Sequence, residues 1–75
     1  MTDHTATLLA AIAAAKKRDD VVPAYAAGIA SFQRSHITRD ATDWSRVNRA
    51  IIERWSDAAI SYIKDKAWKV YYANH

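Results

Sequence analysis

The chain contains no cysteine, and only one glycine and one proline among its 75 residues. The lack of cysteine excludes a disulfide framework and a thiolate metal site. A single glycine excludes a phosphate-cradling loop of the usual glycine-rich kind. Residues that break helices are scarce and alanines number 16, so the composition predicts an all-α structure.

Large aliphatic side chains are also few, since Leu, Ile, Val and Phe together number 14. A chain of this length is near the lower limit for one self-sufficient hydrophobic core. We therefore expect a single helical domain over residues 1–75 that packs closely through alanine or forms a homo-oligomer. No apolar run reaches the ~18 residues that cross a bilayer, and the beginning of the chain is unlike a secretory signal. These features favour a cytoplasmic protein without a membrane partner.

Apolar spacing predicts four helices, near residues 5–18, 23–36, 43–54 and 56–73, with a loop over residues 37–43. Thr5 is expected to cap the first helix, and Lys16, Lys17 and Arg18 are expected to lie in its last turn.

The second helix has two features that the sequence explains. Pro23 suits the first turn of the second helix. Small residues around Gly28 predict the close approach of another helix.

The third and fourth helices are predicted to meet at a helix-turn-helix-like corner. At about 100° per residue, the apolar stripe of residues 44–55 is rotated roughly 120° from that of residues 60–71. One straight helix could not direct both stripes at one core, although a long helix touching different neighbours is the alternative. The predicted core comprises Leu8, Ile12, Tyr25, Ile29, Phe32, Trp44, Val47, Ile51, Trp55, Ile60, Ile63, Ala67 and Val70.

Residues 46–65 match a DNA-binding helix-turn-helix only in part. Four side chains suit its tight corner, namely Ala50, Trp55, Ile60 and Ile63. Arg49 and Glu53, however, occupy positions that usually face inward, and Arg54 stands where a glycine is usual. The exposed start of the second helix also lacks the Arg, Asn or Gln that read base edges.

The last helix carries an aromatic-basic face. Lys64, Trp68 and Tyr72 are spaced i, i+4, i+8, so they stack along one surface. Aromatic side chains away from the core often mark an interface, although another helix could equally cover them. We predict a protein interface made of Lys64, Trp68, Lys69 and Tyr72, in a small non-enzymatic interaction or regulatory protein.

The alternative is a nucleic-acid-binding regulator. The net charge is +3, and residues 31–75 carry eight basic against five acidic side chains. The phosphate contacts would be made by Arg46, Arg49, Arg54, Lys64 and Lys66. We prefer the protein interface, because the wider basic face is partly neutralised at i, i+4, by Glu53 for Arg49 and by Asp65 for Lys69, and it lacks base-reading residues.

The sequence favours neither catalysis nor a metal or cofactor site. Its histidines, His4, His36 and His75, are scattered, and they form no familiar metal-ligand spacing. His36 and Asp40 could share a helical face, but a loop is predicted there. No carboxylate pair lies among apolar residues that would raise a pKa, so we expect a protein that is not an enzyme.

Overall fold

The computed structural model describes residues 4–33 and 42–73 of the chain. These residues form four α-helices, α1 (His4–Ala14), α2 (Val22–Gln33), α3 (Trp44–Arg54) and α4 (Asp57–Ala73), and a 3₁₀-helix, Arg18–Val21, between α1 and α2. The predicted all-α fold is confirmed. The break between α3 and α4 confirms that the two apolar stripes belong to separate helices. The predicted second helical end at His36 and most of the predicted loop lie outside the described residues.

The end of α1 differs from the prediction. The helix stops at Ala14, so Lys16, Lys17 and Arg18 do not lie in its last turn. The Asp20 carboxylate accepts hydrogen bonds from the backbone N–H groups of Lys16 at 3.0 Å and Lys17 at 3.3 Å. This local side-chain to backbone bonding stabilises a turn that competes with the helix, and the 3₁₀-helix follows it.

The role predicted for Thr5 is wrong. Thr5 lies inside α1 and is buried, with 4% of its surface exposed. Its Oγ1 accepts a hydrogen bond from the backbone N–H of Asp43 at 2.7 Å. Asp43 is the residue that caps α3, because its carboxylate accepts from the Arg46 N–H at 3.2 Å. The threonine therefore ties the start of α1 to the start of α3.

A second hydrogen-bonded contact joins the C-terminal ends of α1 and α3. The Arg54 guanidinium Nη1, in the last turn of α3, donates to the carbonyl oxygens of Ile12 and Ala13, the latter at 3.0 Å. Contacts at both ends show that α1 and α3, which have 11 residues each, run parallel and in register. The arginine also satisfies carbonyls that the end of α1 would otherwise leave without a helical partner.

Replacing Arg54 with methionine should therefore lower stability. The variant keeps a long aliphatic side chain but removes the charged donor to two α1 carbonyls, and we expect a loss of about 1–2 kcal/mol in the free energy of unfolding. Urea denaturation followed by circular dichroism measures it. Arg49→Met is the matched control, since Arg49 is exposed on the same helix. Equal effects of the two substitutions would show that the contact with α1 contributes nothing.

The core lies where the four helices face one another, with α2 against α4, α1 against α3, and the pairs joined through α1–α2 and α3–α4 contacts. Of the predicted core residues, eight are buried: Leu8, Ile12, Tyr25, Ile29, Val47, Ile51, Ile63 and Ala67. Trp44, Trp55 and Ile60 are partly buried against them. Val70 is 39% exposed, so its assignment to the core is wrong. The side chain of Phe32 lies outside the description.

Two valines were missed because they follow a pair of aspartates in a segment that breaks the helical period. Val21 is fully buried and Val22 is 8% exposed. They place the 3₁₀-helix against the core, so this connection is part of the packed structure. The prediction that Pro23 lies in the first turn of α2 is confirmed.

Candidate interaction surface

The last two turns of α4 carry three aromatic side chains that contact one another, here called the aromatic cluster: Trp68, Tyr71 and Tyr72. Trp68 stacks on Tyr72 with ring centroids 5.6 Å apart, and it meets Tyr71 edge to face at 5.5 Å. Such geometries are favourable beyond simple surface burial. The rings therefore form one continuous aromatic surface.

The three side chains of the aromatic cluster are buried to different degrees. Trp68 and Tyr71 are partly buried against the core, whereas Tyr72 is 68% exposed. The spacing along α4 predicts that Trp68 lies away from the core, and its partial burial against the core corrects that expectation. Along the core stripe, Ile63 and Ala67 are fully buried while Val70 is 39% exposed. The well-covered part of α4 therefore ends near Ala67, and the aromatic cluster begins there.

Two exposed lysines flank Trp68 and Tyr72 of the cluster. With about 100° per residue, Lys64 lies about 40° from Trp68 on one side of the helix. Lys69 lies about 60° from Tyr72 on the other side. The four residues predicted as a protein interface thus share one sector of α4, with aromatic rings between two cationic side chains.

The five residues predicted to contact nucleic acid do not share one face. Arg46 and Arg49 are both exposed and lie about 60° apart on α3. The guanidinium of Arg54 is turned toward the end of α1. Lys64 and Lys66 project about 160° apart around the axis of α4. The fold therefore keeps only Arg46 and Arg49 together.

The corner between α3 and α4 also differs from a helix-turn-helix turn. Arg54 remains helical, and the chain turns at Trp55, where φ is −124° and ψ is −89°. Within the described ranges no residue has a positive φ, the conformation that a turn glycine supplies. Arg49 and Glu53, at positions that face inward in the motif, are exposed.

Sequence reasoning missed one cluster entirely. The Tyr62 hydroxyl donates to Asp19 Oδ1 at 2.6 Å, and the Arg18 guanidinium carbon lies 3.9 Å from the centre of the Tyr62 ring. The Lys66 Nζ lies 5.2 Å from the same centre. The i, i+4 spacing of Tyr62 and Lys66 was a usable signal, but no local pattern links α4 to residues more than 40 positions earlier.

Groups with possible catalytic or metal-binding chemistry are not assembled in the described part of the chain. No three His, Asp or Glu side chains within residues 4–33 and 42–73 form a metal-binding group. The His36–Asp40 pair and His75 lie outside these residues. Burial raises the pKa of the Tyr25 phenol above its ordinary value of 10.0. That tyrosine packs in the core, with its ring 5.0 Å from that of Trp44.

The geometry thus defines a small all-α structure with an aromatic-basic face on its last helix. No family model matches the chain, and neither a curated protein nor a solved structure matches it. None of the helices in the described ranges has both the length and the apolar character that crossing a membrane requires.

Proposed function

We propose that the protein is a small non-enzymatic interaction or regulatory protein that binds a protein partner, or a second copy of itself, through the aromatic-basic face of α4. The single observation that carries this proposal is the aromatic cluster, whose outermost ring, Tyr72, is 68% exposed. A tyrosine in this position keeps a large apolar area in water unless a partner covers it.

The arrangement has the composition of a productive interface. Binding energy in protein complexes is concentrated in a few aromatic anchors, and the surrounding polar groups exclude water from them. Tyr72 stacks on Trp68, which itself rests against the core, so the exposed ring is held in place before a partner arrives. A preordered side chain loses less conformational freedom on binding. Lys64 and Lys69 then supply the polar rim and favour an acidic surround on the partner.

Tyr72→Ala should weaken association strongly while leaving the helical fold intact. Removal of an aromatic anchor typically costs about 2 kcal/mol or more of binding energy, which corresponds to roughly a thirtyfold weaker complex. For self-association, light scattering on a sizing column across a concentration series measures the effect. Ile52→Ala is the matched control, because Ile52 on α3 is also an exposed apolar residue, at 46%.

A photo-crosslinking amino acid at position 72 tests the proposal for other protein partners. In the native cell it should yield a discrete adduct with a protein, and the same group at Ser45, an exposed position on α3, should not. A chain that is monomeric at every concentration and gives no adduct from position 72 would contradict the proposed function.

The second candidate, a nucleic-acid-binding regulator, retains support from Arg46 and Arg49. These two exposed side chains lie near one another on α3, and phosphate contacts need only positive charges at intervals along a surface. The sequence-derived set is split by the fold, however, so this candidate ranks behind the aromatic interface.

A further inference from the structure

The fold joins the basic run of the 3₁₀ connection to the flank of α4. Arg18 lies over the ring of Tyr62 at 3.9 Å, and the hydroxyl of that ring is held by Asp19. Lys66 lies near the same ring from one turn further along α4. Basic residues separated by almost 50 positions in sequence are thereby gathered around one tyrosine.

Three other exposed lysines lie beside these residues in the chain. Lys16 and Lys17 precede Arg18 and are exposed. Lys69 follows Lys66 on the same flank of α4, since Tyr62, Lys66 and Lys69 are spaced i, i+4, i+7 and fall within about 60° of one another around the axis. We call the whole set the Tyr62 patch: Lys16, Lys17, Arg18, Lys66 and Lys69.

Three carboxylates lie at the patch: Asp65 is exposed one helical turn before Lys69, and Asp19 and Asp20 both have structural hydrogen bonds. Asp20 accepts from the N–H groups of Lys16 and Lys17, which fixes the backbone that presents these lysines. Asp19 accepts from the Tyr62 hydroxyl, which fixes the 3₁₀-helix against α4. The five cationic side chains outnumber the three acids, and the hydrogen bonds of Asp19 and Asp20 fix the connection that carries Arg18.

We propose that the Tyr62 patch binds the phosphodiester backbone of a nucleic acid without reading its sequence. Phosphate recognition needs positive charges spaced along a surface, and the patch provides them along the connection and one side of α4. A guanidinium stacked on an aromatic ring is held in one orientation while its N–H edges remain able to contact phosphate oxygens. Because Arg18 covers the ring and Asp19 engages the hydroxyl, Tyr62 positions the cation and does not itself read a base.

An acidic protein surface fits the patch less well. Tight protein interfaces depend on a few anchors at their centre, mostly Trp, Tyr or Arg, and the one arginine of this patch is stacked on Tyr62. The exposed side chains that define this patch are all charged, and its one aromatic ring is partly buried beneath Arg18. Phosphate binding needs no such anchor. The rings of the aromatic cluster lie on a different sector of α4 from Tyr62 and Lys66, and Lys69 is the one residue that borders both surfaces.

Fluorescence anisotropy with labelled mixed-sequence DNA, as a single strand and as a duplex, tests this proposal between 50 and 200 mM salt. We expect Arg18→Gln with Lys66→Gln to weaken binding at least tenfold at low salt. It should also reduce the slope of log K against log salt concentration by roughly 1.4 for the single strand or 1.8 for the duplex, the values for two lost phosphate contacts. Lys69→Gln alone, at an exposed position, should reduce the slope by about half as much.

The competing variant combines Arg46→Gln with Arg49→Gln, which removes the same charge from α3. It should weaken binding less than the Arg18/Lys66 variant, and an equal loss would overturn the assignment to the patch. Absence of binding to either DNA at 50 mM salt would overturn it as well. Stronger, patch-dependent binding to a labelled poly-glutamate chain than to DNA would replace nucleic acid with an acidic protein as the partner. Circular dichroism of every variant establishes that the helices are retained.

Discussion

Ile63→Ala is expected to remove a large part of the stability of this protein. Ile63 is fully buried, and its neighbours along the buried stripe of α4 are both alanines, Ala59 and Ala67. It is therefore the one large side chain among the fully buried residues of that helix. Truncating a buried isoleucine to alanine costs about 2–5 kcal/mol, through lost burial and the cavity that remains. Proteins of this length have total stabilities of roughly 4–11 kcal/mol, so the variant should unfold at a clearly lower urea concentration than the parent protein.

Urea denaturation followed by far-ultraviolet circular dichroism measures the loss, with Ile52→Ala as the control. The control deletes the same atoms from an isoleucine that is 46% exposed, and we expect its free energy of unfolding to change by less than about 1 kcal/mol. If both variants unfold at the same urea concentration, α4 does not pack through Ile63 as described.

The helical periodicity of the sequence predicted the fold class and much of the core, because both depend on local spacing. The change of phase between the stripes of Val47/Ile51 and Ile63/Ala67 correctly indicated a helix break near residue 55. All four residues are fully buried. Phase is a strong signal here, since one core cannot receive two stripes from a single straight helix.

The interactions between helix ends could not be predicted in the same way. Arg54 was assigned to a possible nucleic-acid surface, whereas its guanidinium donates to carbonyl groups of α1. Thr5 was assigned as a cap of its own helix, whereas it accepts from the backbone of Asp43. Both contacts join residues about 40 positions apart. Local spacing gives the side of a helix on which a residue lies, but not which helix end stands beside it.

The candidate surfaces were likewise predictable only where they depend on local spacing within one helix. The i, i+4 relation between Trp68 and Tyr72 predicted that their rings would meet, and they stack at 5.6 Å. The exposure of Val70, by contrast, depends on packing between helices, which the spacing of apolar residues along α4 does not give. The meeting of Arg18 with Tyr62 depends on the path of the 3₁₀ connection, which itself follows from the early end of α1.

Gly28→Val is the second substitution expected to have a large effect, because Trp44 and Leu8 lie close to this glycine of α2. A Cβ atom at Gly28 would lie 3.1 Å from Trp44 Cη2 and 3.4 Å from Leu8 Cδ1. The first distance is tighter than an ordinary van der Waals contact, and valine adds two methyl groups beyond the Cβ. We expect a loss of about 1–3 kcal/mol from overpacking. Ala27→Val, at the exposed neighbouring position, should cost less than about 1 kcal/mol in helix propensity.

Trp44→Phe tests whether Trp44 causes the close contact at Gly28. Phenylalanine has a single ring and lacks the outer part of the indole that contains Cη2. Gly28→Ala in the native background has two opposed effects, a gain of about 1 kcal/mol in helix propensity and the strained contact with Trp44. In the Trp44→Phe background only the gain should remain, so the alanine should then stabilise the protein. A double-mutant cycle from four urea curves gives the coupling energy between the two positions, expected at about 0.5–3 kcal/mol. A coupling near zero would mean that Trp44 does not limit the approach of another helix to Gly28, and the close packing of α1, α2 and α3 would need another explanation.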